Sequence, residues 1–145
     1  MDSVDYYDFS NNMAKLNRSI TSFVNEGLKQ YNLTRSEVPY LMTLYKYESV
    51  TQEFLSRYYD LNEGTITRAL VRLEKKGFIK RVSNPNDKRK RMVSLTDEGL
   101  ELALILIDYQ KSIKEQVYYN FTDEEYEQLA KLLNKLFENM STILK

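Results

Sequence analysis

The chain of 145 residues contains no cysteine and no histidine. Those two absences exclude disulfides, thiol sensing, thiolate catalysis, imidazole general bases and the usual zinc sites together. Long apolar runs are missing as well: no window approaches the roughly 20 consecutive apolar residues that a membrane span requires. The acidic, tyrosine-rich N-terminus lacks the cationic start and apolar stretch of a leader, so the expectation is a cytoplasmic protein with no membrane partner. With only four glycines and two prolines, the chain has no low-complexity linker. Carboxylate pairs are the main catalytic chemistry left, but the acids lie mostly in helical patterns at the two ends, where they read as solvated faces. The chain is therefore read as a non-enzyme, without cofactor or metal.

What is present suffices for one ordinary domain: 42% of the residues are hydrophobic and 12% aromatic. The net charge is zero, yet its distribution is uneven. Residues 62–91 hold ten lysines and arginines against Glu63, Glu74 and Asp87, a net +7, while residues 1–61 carry −2 and residues 92–145 carry −5. Such segregation is expected of a surface that meets a polyanion.

Phe9, Met13, Leu16, Ile20 and Phe23 recur at helical spacing and predict a first helix running to about Gln30. Thr34 and Glu37 have the spacing of a capping box for a second helix, which Pro39 disturbs: either its first turn is distorted or it starts nearer Val38. Thr51 is placed to cap a third helix, 52–59, ending near Asp60. Asn62 is placed to cap a fourth, 63–76, closed by Gly77. Strands are expected at 79–82 and 91–95, with an Asn-Pro-Asn-Asp turn between them. A helix-turn-helix followed by a hairpin is the order of a winged helix. Thr96 then starts a fifth helix, and the Thr122/Glu125 capping box starts a sixth. The fold class is thus mainly α with a small β-hairpin wing. A winged lobe at 31–96 sits between helices at 1–30 and 97–145, within a single domain. The fifth and sixth helices offer more apolar surface than such a lobe can cover, which points to a second copy of the chain.

On a helical wheel centred on Ile66, Leu70 and Leu73 face the core. Arg68, Val71, Arg72 and Lys75 fall opposite, with Thr65 and Thr67 at the flanks. That cationic, hydroxylated face suits a DNA major groove, with Asn62, Thr65 and Arg68 nearest the bases. Gly64 lets backbone and anion approach closely at the helix N-terminus. Arg72 and Lys75 are expected on phosphates, whereas Lys76 and Lys80 read as solvated charges. Lys88, Arg89, Lys90 and Arg91 are placed at the hairpin tip, facing the neighbouring minor groove, with Asp87 bracing the turn.

These residues resemble the MarR-type winged-helix transcriptional regulators. The resemblance is carried by Thr65-Ile66-Thr67-Arg68, by residues 73–79 (LEKKGFI), and by Asp87, Arg89, Val93, Leu95, Thr96 and Gly99. Upstream, Leu33, Thr34, Glu37, Leu41 and Leu55 fit as well. It implies a homodimer built by the N- and C-terminal helices, reading a pseudo-palindromic double-stranded operator as a repressor that a small phenolic or aromatic-acid effector releases. It also implies recognition-helix contacts from Thr65, Thr67, Arg68 and Arg72, a minor-groove contact from Arg89, and an effector pocket that draws on Arg18, Tyr40 and Tyr45. Ser56, Tyr59 and Asp60 depart from the family's usual alanine, leucine and glycine at the turn of the helix-turn-helix. A second reading stays open at this point: a winged-helix module that sets its basic wing against a protein or RNA.

Overall fold

The computed structural model describes residues 3–145, apart from the side chains of residues 3, 4, 88 and 89. In chain order it comprises α1 (Ser3–Leu28), a short 3-10 turn (Lys29–Tyr31), α2 (Val38–Tyr47), β1 (Ser49–Thr51), α3 (Gln52–Tyr59) and α4 (Glu63–Lys75). β2 (Ile79–Asn84), β3 (Asp87–Leu95), α5 (Asp97–Val117) and α6 (Asp123–Ile143) follow. The chain forms two compact units, Met1–Ile107 and Asp108–Lys145.

In the first unit the core is built around α4. Ile66, Leu70 and Leu73 are fully buried, each contributing about 1.5–3 kcal/mol relative to exposure, and Leu41 and Leu44 of α2 and Leu55 of α3 are buried as well. Asn62 caps α4 by accepting from the Thr65 N–H at 2.8 Å. At the other end Gly77, at φ +81°, donates to the Glu74 carbonyl while Phe78 donates to that of Leu73, which closes the helix with a left-handed residue. The chain then enters β2 directly.

The sheet has three antiparallel strands in the order β1-β3-β2. β1 was not legible in the sequence; three residues are too short to show a period. Its Val50 lies opposite Val93, and both are buried. The hairpin is longer than expected and its turn sits at Pro85 and Asn86, where the Asn86 N–H is held by the Asn84 side chain at 3.0 Å. The basic run therefore does not form the tip. Residues 88–91 belong to β3, and the register shifts between Ser83, opposite Arg91, and Asn84, opposite Asp87. Residues 88–90 occupy that irregularity, which re-aims the strand.

Helix α2 starts at Val38, with Pro39 in its first turn, where a missing N–H costs nothing. The Thr34/Glu37 spacing yields only half a capping box. Thr34 N–H donates to the Glu37 carboxylate at 3.0 Å, but Glu37 is itself the residue before the helix, and its own N–H closes a turn on the Thr34 carbonyl. In α6, by contrast, the Thr122/Glu125 box is complete.

Thr96 fastens α5 to the end of α4: its hydroxyl donates to the Gly77 carbonyl at 2.6 Å and accepts from the Gly99 N–H at 3.0 Å. The approach leaves no room at Gly99. A Cβ there would stand 1.9 Å from the Phe78 carbonyl oxygen, which already accepts from the Thr96 N–H. Gly99→Ala is expected to lower stability by at least about 1–3 kcal/mol, because backbone rather than a flexible side chain must move. A thermal or urea melt unchanged from the parent would show that α5 does not need this contact.

Candidate nucleic-acid interface

The exposed side of α4 rises from its cap. Gly64, Arg68 and Lys75 are exposed, and Thr65 and Thr67 are half-buried. A Cβ at Gly64 would meet only ordinary contacts, 3.4 Å to the Asn62 side-chain oxygen and 3.5 Å to an Arg68 guanidinium nitrogen. Nothing inside the chain therefore requires glycine at that position. Arg68 leans on the Thr65 hydroxyl at 3.3 Å, a weak contact that leaves its remaining donors outward. The Asn62 side-chain oxygen is engaged in capping, so this residue aligns the helix start. Lys90 and Arg91 of β3 are exposed beside this face. Together with Gln52, Thr67 and Arg81, and with the carboxylates Glu53 and Glu63, they line a cleft of about 310 Å³ between the starts of α3 and α4 and the hairpin.

Two cations of the basic segment are tied inward. Glu37 is 1% exposed, and its carboxylate receives Lys76 Nζ at 3.0 and 2.9 Å and Arg72 Nε at 3.4 Å. Lys76, read from the sequence as a solvated charge, is instead the partner of a buried carboxylate 39 positions away, and its side chain is only 20% exposed. Arg72 stays half-exposed: one edge of its guanidinium lies against Glu37 and the rest reaches solvent. Arg81 makes the second inward pair, a two-pronged bridge to Glu74 at 3.0 and 2.9 Å that joins β2 to the end of α4. The Arg81 hydrogen bonds hold the Glu74 carboxyl below its usual range against partial burial, and the field of Arg91 adds to this. The sequence signal for that pair is Glu74 and Arg81 on either side of the Gly77 stop.

Asp87 opens β3 opposite Asn84 and is half-buried. The Lys88 and Arg89 side chains, both expected contacts, lie outside the described residues. Of the three expected effector residues, Arg18 and Tyr45 line different clefts. Arg18 is exposed on α1, in a cleft with Thr21, Asn25 and Lys29. Tyr40 is 5% exposed, with its ring edge-on to Tyr59 at 5.3 Å, and burial pushes its hydroxyl pKa up. Tyr45 lines a separate cleft of about 570 Å³ with Leu44, Glu48, Leu95 and Leu100.

The departures at the turn preserve its geometry. Asp60 takes the left-handed conformation, φ 50° and ψ 47°, which aspartate tolerates better than most residues. The Ser56 hydroxyl donates to the Leu61 carbonyl, and the Leu61 N–H returns to Ser56. The Tyr59 hydroxyl donates to the Pro39 carbonyl at 2.8 Å, which ties α3 to α2.

The family model described as the MarR family matches residues 33–90. Among similar proteins, an uncharacterized HTH-type transcriptional regulator of Bacillus cereus (strain ATCC 10987 / NRS 248) is 33% identical, over 79% of this chain and 77% of its own length. The HTH-type transcriptional regulator SarZ of Staphylococcus haemolyticus is 30% identical, over 77% of this chain and 75% of its own length. A solved structure of a MarR mutant from E. coli complexed with operator DNA aligns with a TM-score of 0.82 at 25% identity, over 94% of this chain and 99% of that one.

Burial raises the pKa of Glu37, but the hydrogen bonds from Lys76 and Thr34 outweigh it and leave the carboxyl below its usual value of 4.5. A depressed folded-state pKa means that the charged form stabilises the fold above the unfolded-state value and that this contribution is lost as pH falls through the lower folded value. Glu37→Gln is accordingly expected to cost about 1.5–3 kcal/mol at pH 7, the range for hydrogen bonds to a charged group, with the gap to the parent closing below pH 4.5. Urea midpoints taken stepwise from pH 7 to pH 3 measure both, and a gap independent of pH would contradict the assignment.

Proposed function

The chain belongs to the MarR family, and from that membership we propose that it is a homodimeric, sequence-specific repressor whose hold on a pseudo-palindromic operator is modulated by a small aromatic or phenolic effector. MarR-family transcriptional regulators are non-enzymatic DNA-binding proteins, and a relative's solved complex contains operator DNA. No described helix is long and apolar enough to cross a membrane, in keeping with action in the cytoplasm.

The observation that carries the reading is the open face of α4, where Arg68 and Lys75 are exposed, with Lys90 and Arg91 of β3 across a cleft from Thr67 of the same helix. In this reading α4 lies in the major groove. Thr65 and Arg68 reach base edges, and the half-exposed Arg72 and Lys75 meet phosphates further along. Gly64 lets a phosphate close on the helix N-terminus. The cations of β3 follow the backbone into the adjoining minor groove, with Asp87 bracing the strand they sit on.

A pseudo-palindrome needs two lobes, and apolar surface is available to join them. The stripe predicted on α1 remains uncovered at Phe9, Leu16 and Phe23, and α6 has no buried residue while exposing Leu132, Leu133, Phe137 and Ile143. Single exposed apolar residues are ordinary; contiguous stripes on whole helices mark interfaces. The cleft beside Tyr45 is the effector site this reading favours, since Tyr45 is exposed there beside an apolar wall of Leu44, Leu95 and Leu100.

Selection of bound duplexes from a random pool should return an inverted repeat. Arg68→Ala should cost about 1–3 kcal/mol on the selected site and relax the preference at the base pair it faces; an unaltered motif would remove Arg68 from the reading role. Sedimentation should find a dimer at micromolar concentration, and a monomer there would end the two-lobe account.

A further inference from the structure

Two hydrogen bonds meet on the hydroxyl of Thr67. It lies 2.8 Å from the Glu63 carbonyl oxygen and 2.6 Å from the side-chain nitrogen of Gln52, the first residue of α3. A carbonyl oxygen cannot donate, so the hydroxyl proton is spent on Glu63. The contact to Gln52 must then run the other way, with the carboxamide N–H donating to a lone pair of Thr67 Oγ1. This also settles which end of the Gln52 amide faces the threonine. The result is a relay with one direction, from Gln52 through Thr67 to the α4 backbone.

A hydroxyl offers one proton and two lone pairs, and the relay leaves Thr67 with a single lone pair. We propose that Gln52 is a specificity-determining residue of the DNA interface, which reinforces the polarity that Glu63 gives Thr67, so that this threonine reads as an acceptor and not as a donor. The inference rests on the duplex-reading role proposed above and adds Thr67 to the α4 residues that reach base edges. Its chemical consequence concerns the major-groove edge. Adenine and cytosine present exocyclic amines that donate, whereas guanine and thymine present carbonyl oxygens that accept. An amine satisfies the remaining lone pair. A base carbonyl sets lone pair against lone pair unless Thr67 gives up the Glu63 bond. An amide donating into Thr67 Oγ1 polarises the hydroxyl and strengthens its bond to Glu63; without Gln52 that bond weakens, and the hydroxyl turns more readily to suit either edge.

The placement supports an interface role. Gln52 and Thr67 both line the cleft shared with Arg81, Lys90 and Arg91, and neither is fully buried. Gln52 is thus a residue outside α4 that acts on base choice through α4. It is a positioning residue with respect to Thr67, and its effect is confined to one position of each half-site.

The test is selection from a random duplex pool with the full-length protein and its variants, scored position by position and repeated at several salt concentrations. The parent motif should favour adenine or cytosine at one position of each half-site. Gln52→Ala should lower discrimination there by about three- to tenfold, the worth of one ordinary hydrogen bond, and leave the other positions and the salt slope unchanged. Thr67→Val should flatten the same position, and Thr67→Ser, which keeps the hydroxyl, should restore it. Gln52→Met preserves side-chain bulk and repeats the test if alanine disturbs folding, as judged by thermal melts. An unchanged motif in both Gln52 variants would overturn the proposal. So would uniform weakening with a shallower salt slope, which would make Gln52 a phosphate contact. If the parent enriches no motif at all, sequence reading itself fails, and the relay falls with it.

Discussion

The winged lobe is organised by a single buried carboxylate. Glu37 is 1% exposed, and leaving a charge in that position without partners would cost several kcal/mol. Its oxygens are instead met by the Thr34 N–H, by Lys76 and by one edge of Arg72. Lys76 follows the last turn of α4, where a cation also suits the helix dipole, so one ammonium satisfies both the carboxylate and the helix end. The arrangement decides local structure as well. With Glu37 turned inward, residues 35–37 form a turn and α2 begins only at Val38, which gives Pro39 an early position where it breaks no hydrogen bond.

The same turn reaches the first helix. The Arg35 N–H donates to Asn25 at 2.6 Å, and its guanidinium donates to Asn17 at 3.1 Å and to Thr21 at 2.6 Å. A single residue, Ser36, therefore separates a clasp on α1 from a clasp on the end of α4. Helix α4 is held near both termini by groups outside it: Lys76 and Arg72 by Glu37, Glu74 by Arg81, and Thr67 near the start by Gln52. A helix fixed at both ends presents its outer face in one orientation, which the proposed reading role would require.

How much of this was legible follows the range of each interaction. Caps, the Gly77 stop and the Ile66/Leu70/Leu73 face are local, with signals within a few residues, and they appear where spacing placed them. The capping box of α6 formed and that of α2 did not, although both have the same spacing. The difference lies at the hydroxyl: Thr122 accepts from the Glu125 N–H, whereas the Glu37 N–H goes to the Thr34 carbonyl and the Thr34 hydroxyl lies against that of Ser36. β1 is defined by pairing with β3 and has no period of its own. Like charges adjacent in sequence suggest a solvated turn, whereas the backbone of residues 88–91 belongs to β3, a strand set by its pairing with β1 and β2. Asp60 shows the converse. Its type departs from the usual glycine, but the left-handed backbone that the turn demands is kept, because the demand comes from geometry and an aspartate can meet it.

Charge alone would mark every cation between residues 62 and 91 as a ligand for a polyanion, and the hydrogen bonds narrow that set. Lys76 and Arg81 are committed to carboxylates, and Arg72 is half committed. Among the described residues, Arg68, Lys75, Lys90 and Arg91 form no ion pair, and all four are exposed. A duplex releases its condensed counterions when lysines and arginines neutralise phosphates, and that release drives non-specific affinity. Cations already paired with carboxylates serve instead to hold the frame. In a chain of zero net charge, the inward pairs thus take up part of the local cationic excess on positions that fix α4, and the remainder is left facing outward.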